Sequence, residues 1–452
     1  MKKKDILSPV LIFIALIAVA AVLAVKYRTH IPTLDETVNS ITQSVSETTQ
    51  QKKTKDLEQL ASSLSALSGK TVTASLLANL DSKEIEAMEE AAENNTYSDE
   101  LWYDTTGYTL NALIDKYELK RCKNLGNNGK SSFTIGFTGD INFTQTGYVM
   151  THANYMPNGV LDCIDETFQS EMRSADIMLV NNEFPYSYRG SPTPDKKYTF
   201  RAKPETVKYM TALGVDIVSL SNNHAYDYGY ESFVDTIATL DEEGITHIGA
   251  GMNIEEASKY EGFIINGKKV GFLACCGVES PIKTPVATQD SEGIMGSYDN
   301  GELMCEKIRE AKEECDYVIV YPHWGIENTT QLTNAQQVNS RKWIDAGADA
   351  VIGAHPHVLQ GMEFYNGVPI IYSLGNFWFN TRNIYTGLLK LIISDDAVQP
   401  VFVPGRQSGS ETHYLDSADE RRSLYDTLEG YMPYNKVVID DEGYIKAAEP
   451  EE

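Results

Sequence analysis

The chain has 452 residues, too many for one ordinary domain, and its 38 Lys and Arg against 64 Asp and Glu give a formal net charge of −26. That balance excludes sequence-independent binding of nucleic acid, which needs cations to displace counterions from phosphates. A hydrophobic content of 42% excludes wholesale disorder, and six cysteines in this length exclude a small disulfide scaffold.

In chain order, Lys2, Lys3 and Lys4 precede an apolar run at residues 9–25, which Lys26 and Arg28 close. The run is just long enough to span a bilayer and is apolar on every face, so residues 1–28 read as a transmembrane anchor. A cleaved signal peptide, with small residues at Ala18-Val19-Ala20, is the rival reading. The lysines favour a single-pass protein of the cell membrane with an extracytoplasmic carboxy-terminal body. Residues 29–130 read as an extracytoplasmic spacer, a helical or flexible stalk with short patterns such as Leu57, Leu60, Leu64 and Leu67, ending in a Gly/Asn loop at 122–130. From 131 to 405, strand-like runs alternate with amphipathic segments such as 231–243 and 301–314, the rhythm of a layered α/β domain. Residues 406–452, with twelve acidic and five basic side chains, read as an acidic extension. Cys275 and Cys276 read as small buried hydrophobes, since no C-x-x-C occurs.

Polar residues follow the apolar runs in a repeated way. After 133–137 comes Thr138-Gly139-Asp140-Ile141-Asn142, and after 177–180 comes Asn181-Asn182-Glu183. After 217–220 comes Ser221-Asn222-Asn223-His224, with Asp227 and Gly229 beyond it. After 317–321 come His323-Trp324-Gly325 and Glu327, after 350–352 comes Gly353-Ala354-His355-Pro356-His357, and after 368–372 comes Ser373-Leu374-Gly375-Asn376. Carboxyl ends of neighbouring strands converge on one crevice, the usual place for ligands in open α/β sheets. The donors are oxygens and imidazoles without thiolate, which suits Zn, Mn, Fe or Mg, and there are more of them than one tetrahedral ion needs. One divalent metal ion, two ions, or a metal-free acid–base site all remain open.

The ordered set of blocks resembles the CapA-type poly-γ-glutamate capsule biosynthesis proteins, themselves similar to calcineurin-like metallophosphoesterases. The resemblance implies a four-layer αββα sandwich of metallophosphoesterase type over about 133–404, in a membrane protein of capsule polymer synthesis or export. It assigns Asp140, Asn142, Glu183, Asn223, His323, His355 and His357 to metal binding and His224 to proton transfer. Asp227 is placed to orient His224. Asn142 stands where phosphoesterases carry His, and Glu183 where they carry Asp. The expected activity is that of a metallophosphoesterase-like hydrolase acting on a phosphoester or a polymer linkage, with capsule synthase subunits as partners. The alternative is a non-catalytic scaffold subunit of the same machinery. Four cations, Lys196, Lys197, Arg201 and Lys203, stand against the acidic trend. Arg201 and Lys197 are the expected contacts to an anionic polymer or phosphoester substrate.

Overall fold

The computed structural model describes residues 56–57, 59–68, 72, 76–77, 80, 82–94, 96, 98–106, 110, 122–279, 281–394, 397–432 and 436–448. Among these no helix is long and apolar enough to cross a membrane. This corrects the expected membrane localisation, and the run at 9–25 from which it was read lies outside the described residues. The chain divides into two compact units, Met1–Leu119 and Lys120–Glu452.

In the first unit, helices Ser82–Asn94 and Asp99–Thr106 and the helical residues 59–68 share a small core of their own. Leu60, Leu64, Leu76, Leu77, Met88 and Trp102 are buried in it. The leucine spacing read as a stalk pattern is therefore the apolar side of a packed helical cluster.

The second unit holds two large sheets. Its strands are β1 (Cys122–Gly126), β2 (Phe133–Ile141), β3 (Ile177–Asn182), β4 (Ile217–Ser219), β5 (Thr246–Ile248), β6 (Ala250–Gly251), β7 (Glu261–Ile265), β8 (Lys268–Cys276) and β9 (Gly293–Ile294). There follow β10 (Tyr317–His323), β11 (Ala350–Ile352), β12 (Met362–Tyr365), β13 (Val368–Ile371), β14 (Asn376–Trp378), β15 (Ile384–Ser394), β16 (Ala397–Ser408), β17 (Glu411–Tyr414), β18 (Val437–Ile439) and β19 (Ile445–Ala447). One sheet runs β1-β7-β8-β10-β11-β13-β12, the other β17-β16-β15-β2-β3-β4-β5 with β14 beside β2.

Alternation along the strands builds the layers. Ile135, Phe137, Leu179 and Ile217 of the second sheet pack on Phe272, Ile319, Tyr321 and Ile352 of the first. The alternate residues Met178, Val180 and Val218 face the helix side chains Phe168, Met172, Phe233 and Leu240. On the far side, Leu273, Val318, Val320 and Val351 face Met304, Ile308 and Trp343. The order is helix, sheet, sheet, helix, an α/β fold. The helices form for local reasons as well. Glu302–Glu314 buries Met304, Cys305, Ile308 and Ala311 along one stripe, and Asn334–Asp345 opens on a Thr333/Gln336 capping box.

Two boundaries move from the sequence reading. Residues 122–126, expected as loop, form edge strand β1, paired in parallel with β7. Residues 406–452, expected as an extension, belong to the layered unit. Strands β16 and β17 pair at the sheet edge, and Leu424, Tyr425, Leu428, Val437, Ile439 and Ile445 enter the core between the sheets.

Candidate metal centre

Parallel register sets the site. Strands β2 and β3 pair Phe137 with Leu179 but Asp140 with Asn181, so β2 carries one extra residue at Thr138-Gly139. Such a bulge reverses which face each later side chain takes. Before it, Phe133, Ile135 and Phe137 face the other sheet; after it, Ile141 faces the helices and Asp140 turns inward. Gly139 permits this by close approach, since a Cβ there would stand 1.8 Å from the Gly375 carbonyl oxygen. The Asp140 amide donates to that same oxygen at 2.9 Å. Gly353 is likewise a point of close approach, where a Cβ would meet the Tyr372 carbonyl at 2.2 Å.

The predicted donors then meet between the sheets. Asp140, Glu183, Asn223 and His224 come from the second sheet, and His323, His355 and His357 from the first. The Asn181 amide donates to Asp140 Oδ1 at 2.7 Å and to Glu183 Oε2 at 3.2 Å. His323 Nε2 lies 2.8 Å from Asn223 Oδ1 and 3.0 Å from His355 Nδ1. His357 Nδ1 is 2.7 Å from Asn376 Oδ1 and 3.0 Å from Asp140 Oδ2. His355 and His357 have φ of 96° and 58°, in the left-handed region that non-glycine residues avoid. Strain of this kind persists where the surroundings over-determine it, which marks functional sites.

Of the buried site atoms without a hydrogen-bond partner, which include Asn376 Nδ2, one lies at the centre of the imidazoles. Glu183 Oε1 is fully buried and has no hydrogen-bond partner, while Nε2 atoms of His224, His323 and His357 surround it at 3.8, 3.8 and 3.9 Å. Burial first, then the Asp140 charge, push the Glu183 carboxyl well above the usual carboxylate range. Burial is the largest effect on Asp140 too and works against its charged form, but the His357 hydrogen bond and charge, with the Asn181 hydrogen bond, together outweigh it and hold that carboxyl below its usual range. Burial, then the His357 charge, take His355 down to about 3, and burial with its histidine neighbours takes His323 well below the usual imidazole range. Both are therefore neutral at pH 7, as metal ligands must be. Ligand atoms of Glu183, His323 and His355, and likewise of Asp140, Glu183 and His357, lie within 4.8 Å of one another. The orphaned oxygen, the neutral imidazoles and the absence of thiolate fit a divalent metal ion.

Beside this cluster His224 Nδ1 donates to Asp227 Oδ2 at 2.6 Å, and Asp227 Oδ2 also accepts the Phe200 amide at 2.6 Å. Lys196, read from the sequence only as part of a basic run, has a buried side chain. Its Nζ lies 2.8 Å from both Asp227 Oδ1 and Glu279 Oε2 and donates to the Asn223 carbonyl.

A cleft of about 690 Å³ opens over His224 and His357. Asn142 lines it, and its Oδ1 accepts the Thr144 amide at 2.7 Å. Lys197 lines the cleft. Arg201 does not: its guanidinium stacks 4.0 Å over the Tyr228 ring and donates to the Arg189 carbonyl at 3.1 Å. Arg382 lines the cleft instead. Asn181, Asn376, Lys196 and Arg382 are the site residues that the sequence reading did not single out. Asn181 and Asn376 stand in the strand-end blocks and carried that signal.

Residues 134–381 match the family described as bacterial capsule synthesis protein PGA_cap. The chain is 32% identical over 229 residues to the PGA biosynthesis protein CapA of Bacillus subtilis (strain 168), covering 49% of this chain and 59% of that one. It is 30% identical over 263 residues to the capsule biosynthesis protein CapA of Bacillus anthracis, covering 56% and 63%. The match thus spans less than two thirds of either relative's length. The NAD nucleotidase of Haemophilus influenzae is similar at a TM-score of 0.37 and 14% identity, covering 69% of this chain and 64% of that one, which is too low to carry an argument. With the matched segment spanning more than half of the chain, the protein belongs to the bacterial capsule synthesis PGA_cap family.

Proposed function

We propose that the protein acts in synthesis of a poly-γ-glutamate type capsule as a metal-dependent, metallophosphoesterase-like hydrolase. Its substrate on this reading is a phosphoester or a linkage of an anionic polymer, and its partners are capsule synthase subunits. The observation that carries the reading is the unbonded, fully buried Glu183 Oε1 ringed by three imidazole nitrogens. A scaffold has no physical use for such an arrangement, because a buried polar atom without a partner costs stability.

Asp140, Glu183, Asn223, His323, His355 and His357 would hold the metal, and Glu183, common to two ligand groups, would be shared if two ions bind. When bound, a divalent ion supplies Lewis-acid polarisation of the scissile group and makes water a better nucleophile at neutral pH. The chain itself manages the proton. Asp227 accepts the His224 Nδ1 proton, which leaves Nε2 free at the cleft to take a proton or, once protonated, to give one to the leaving group. Asp227 also stabilises the imidazolium that forms in between. Phe200, whose ring centroid is 4.2 Å from that of His224, and Phe379, 4.7 Å from His357, exclude water from one side of both imidazoles.

Metal analysis of the purified protein, joined to a hydrolysis screen over phosphoesters and γ-glutamyl polymer, tests this. Wild type should carry a divalent ion and turn over a member of the screen, and Asp140→Ala and His355→Ala should lose both. An unmetallated wild type with no turnover would overturn the reading in favour of a non-catalytic capsule subunit.

A further inference from the structure

The geometry points to a carboxylate-recognition subsite formed by Lys197 and Arg382 in the cleft beside His224, which takes a chain bearing repeated carboxylates. This rests on the hydrolase reading only for where the scissile bond would lie. On a protein of net charge −26, an anionic chain is repelled at long range, so unneutralised cations at short range decide whether it binds. Many lysines and arginines of the fold are paired with carboxylates, as in Arg189–Asp235, Lys312–Asp349 and Arg406–Glu420. The side chain of Lys196, the neighbour of Lys197, is buried against Asp227 and Glu279. Lys197 and Arg382 differ. Among the described contacts Lys197 lies 4.9 Å over the Tyr198 ring, and Arg382 donates to the neutral amide oxygen of Asn328. Neither contact cancels a charge, and both residues line the same cleft as His224 and His357.

The rest of the cleft fits a chain better than a lone anion. Its volume of about 690 Å³ far exceeds a single phosphate, and Phe200 and Phe379 supply an apolar wall, their rings meeting edge to face at 5.5 Å. Methylene groups between successive carboxylates would lie on that wall while the carboxylates reach the two cations. Glu327, also in the cleft, has its carboxylate within ligand distance of His355 and His357.

Calorimetric titration with a defined γ-glutamyl oligomer tests the subsite without needing turnover, so a protein that binds but never hydrolyses would sink the hydrolase reading and leave this one standing. Wild type should bind the oligomer and not its carboxamide form. Arg382→Ala should weaken binding about tenfold, as expected for loss of a charge-assisted contact. Lys197→Ala should weaken it about threefold, and both losses should shrink in high salt. Lys203→Ala, an exposed cation of the same segment outside the cleft, should bind as wild type, and unchanged melting would show that each variant is folded. Equal binding of the carboxamide form, or wild-type affinity in both cleft variants, would overturn the inference. So would tripolyphosphate binding as tightly as the oligomer with the same losses.

Discussion

The two ends of the parallel strands use the same side-chain chemistry for opposite purposes. At the amino ends, Asp176, Asp216, Asp316 and Asp349 stand immediately before β3, β4, β10 and β11. Each carboxylate accepts the amide of a residue in the neighbouring strand, Thr134, Met178, Lys269 and Val318, at 2.7 to 2.8 Å. For Asp176, Asp216 and Asp349 the backbone amide donates back to the carbonyl of that same neighbour, closing a ring. At the carboxyl ends, Asp140 and Glu183 are fully buried, and Glu183 keeps an oxygen with no partner. A carboxylate that finishes a sheet's hydrogen bonding is structural, whereas one buried with an unmet oxygen is held for a ligand.

The sharpest way to break this contrast is Glu183→Gln. The variant should lose metal and turnover outright. In metal-free protein it should be more stable than wild type by about 1–3 kcal/mol, because a neutral isostere removes a buried like-charge conflict with Asp140. Denaturant melts of the stripped proteins check the sign, and a destabilised variant would put Glu183 with the structural carboxylates.

Lys196→Met probes the boundary between the two roles. Removing the lysine leaves Asp227 and Glu279 without their shared cation, which should destabilise by about 3–5 kcal/mol. Turnover should fall while metal content holds, since Lys196 reaches His224 through Asp227. Lys196→Arg should recover stability more than turnover, because a planar guanidinium cannot reproduce contacts made by one point charge. Metal loss in Lys196→Met would instead place Lys196 behind Asn223. At the amino end, Asp349→Ala should cost about 1–3 kcal/mol by orphaning the buried Val318 amide and removing the carboxylate partner of Lys312, which keeps the Asp316 carbonyl, with metal content and turnover per folded molecule unchanged.

Much of the carboxyl end was legible because its signal repeats: an apolar run, then Gly, Asn, Asp or His. The layers were legible for the same reason, since β3 and β10 open on unbroken apolar runs at 177–180 and 317–321, as strands buried on both faces do. What the sequence hid was set by pairing and direction. Strand β1 is almost wholly exposed, so its residues carry no apolar alternation, and only backbone pairing with β7 makes it a strand. In the acidic tail, charge masked an ordinary pattern: Leu424, Tyr425 and Leu428 share a helix face, and Val437 and Ile439 alternate. Arg201 and Lys197 are close in sequence, but only one faces the cleft, while Arg382 arrives from a loop nearly two hundred residues later with no local mark. The inward turn of Asp140 depends on a bulge that Gly139 allows but that no single-strand pattern announces.

The mildest test lies at the amino end and concerns pH. Burial pushes the Asp216 carboxyl up to about 6, against the lowering effects of the Met178 amide and the Lys123 charge. The folded state therefore holds this proton more tightly than the unfolded chain, whose aspartates titrate near 4. Between about pH 4 and 6 the unfolded state has released the proton and the folded state has not, so this group's contribution to stability falls as pH rises through that window. Asp216→Asn keeps an oxygen for the Met178 amide and has nothing to titrate. Its stability relative to wild type should therefore grow from pH 4 to pH 6 and level off above, reaching about 2 kcal/mol. Urea melts at unit pH steps would show it. Parallel wild-type and variant profiles would mean that the Asp216 carboxylate is as well solvated in the fold as out of it, and that the Met178 amide is bound at no electrostatic cost.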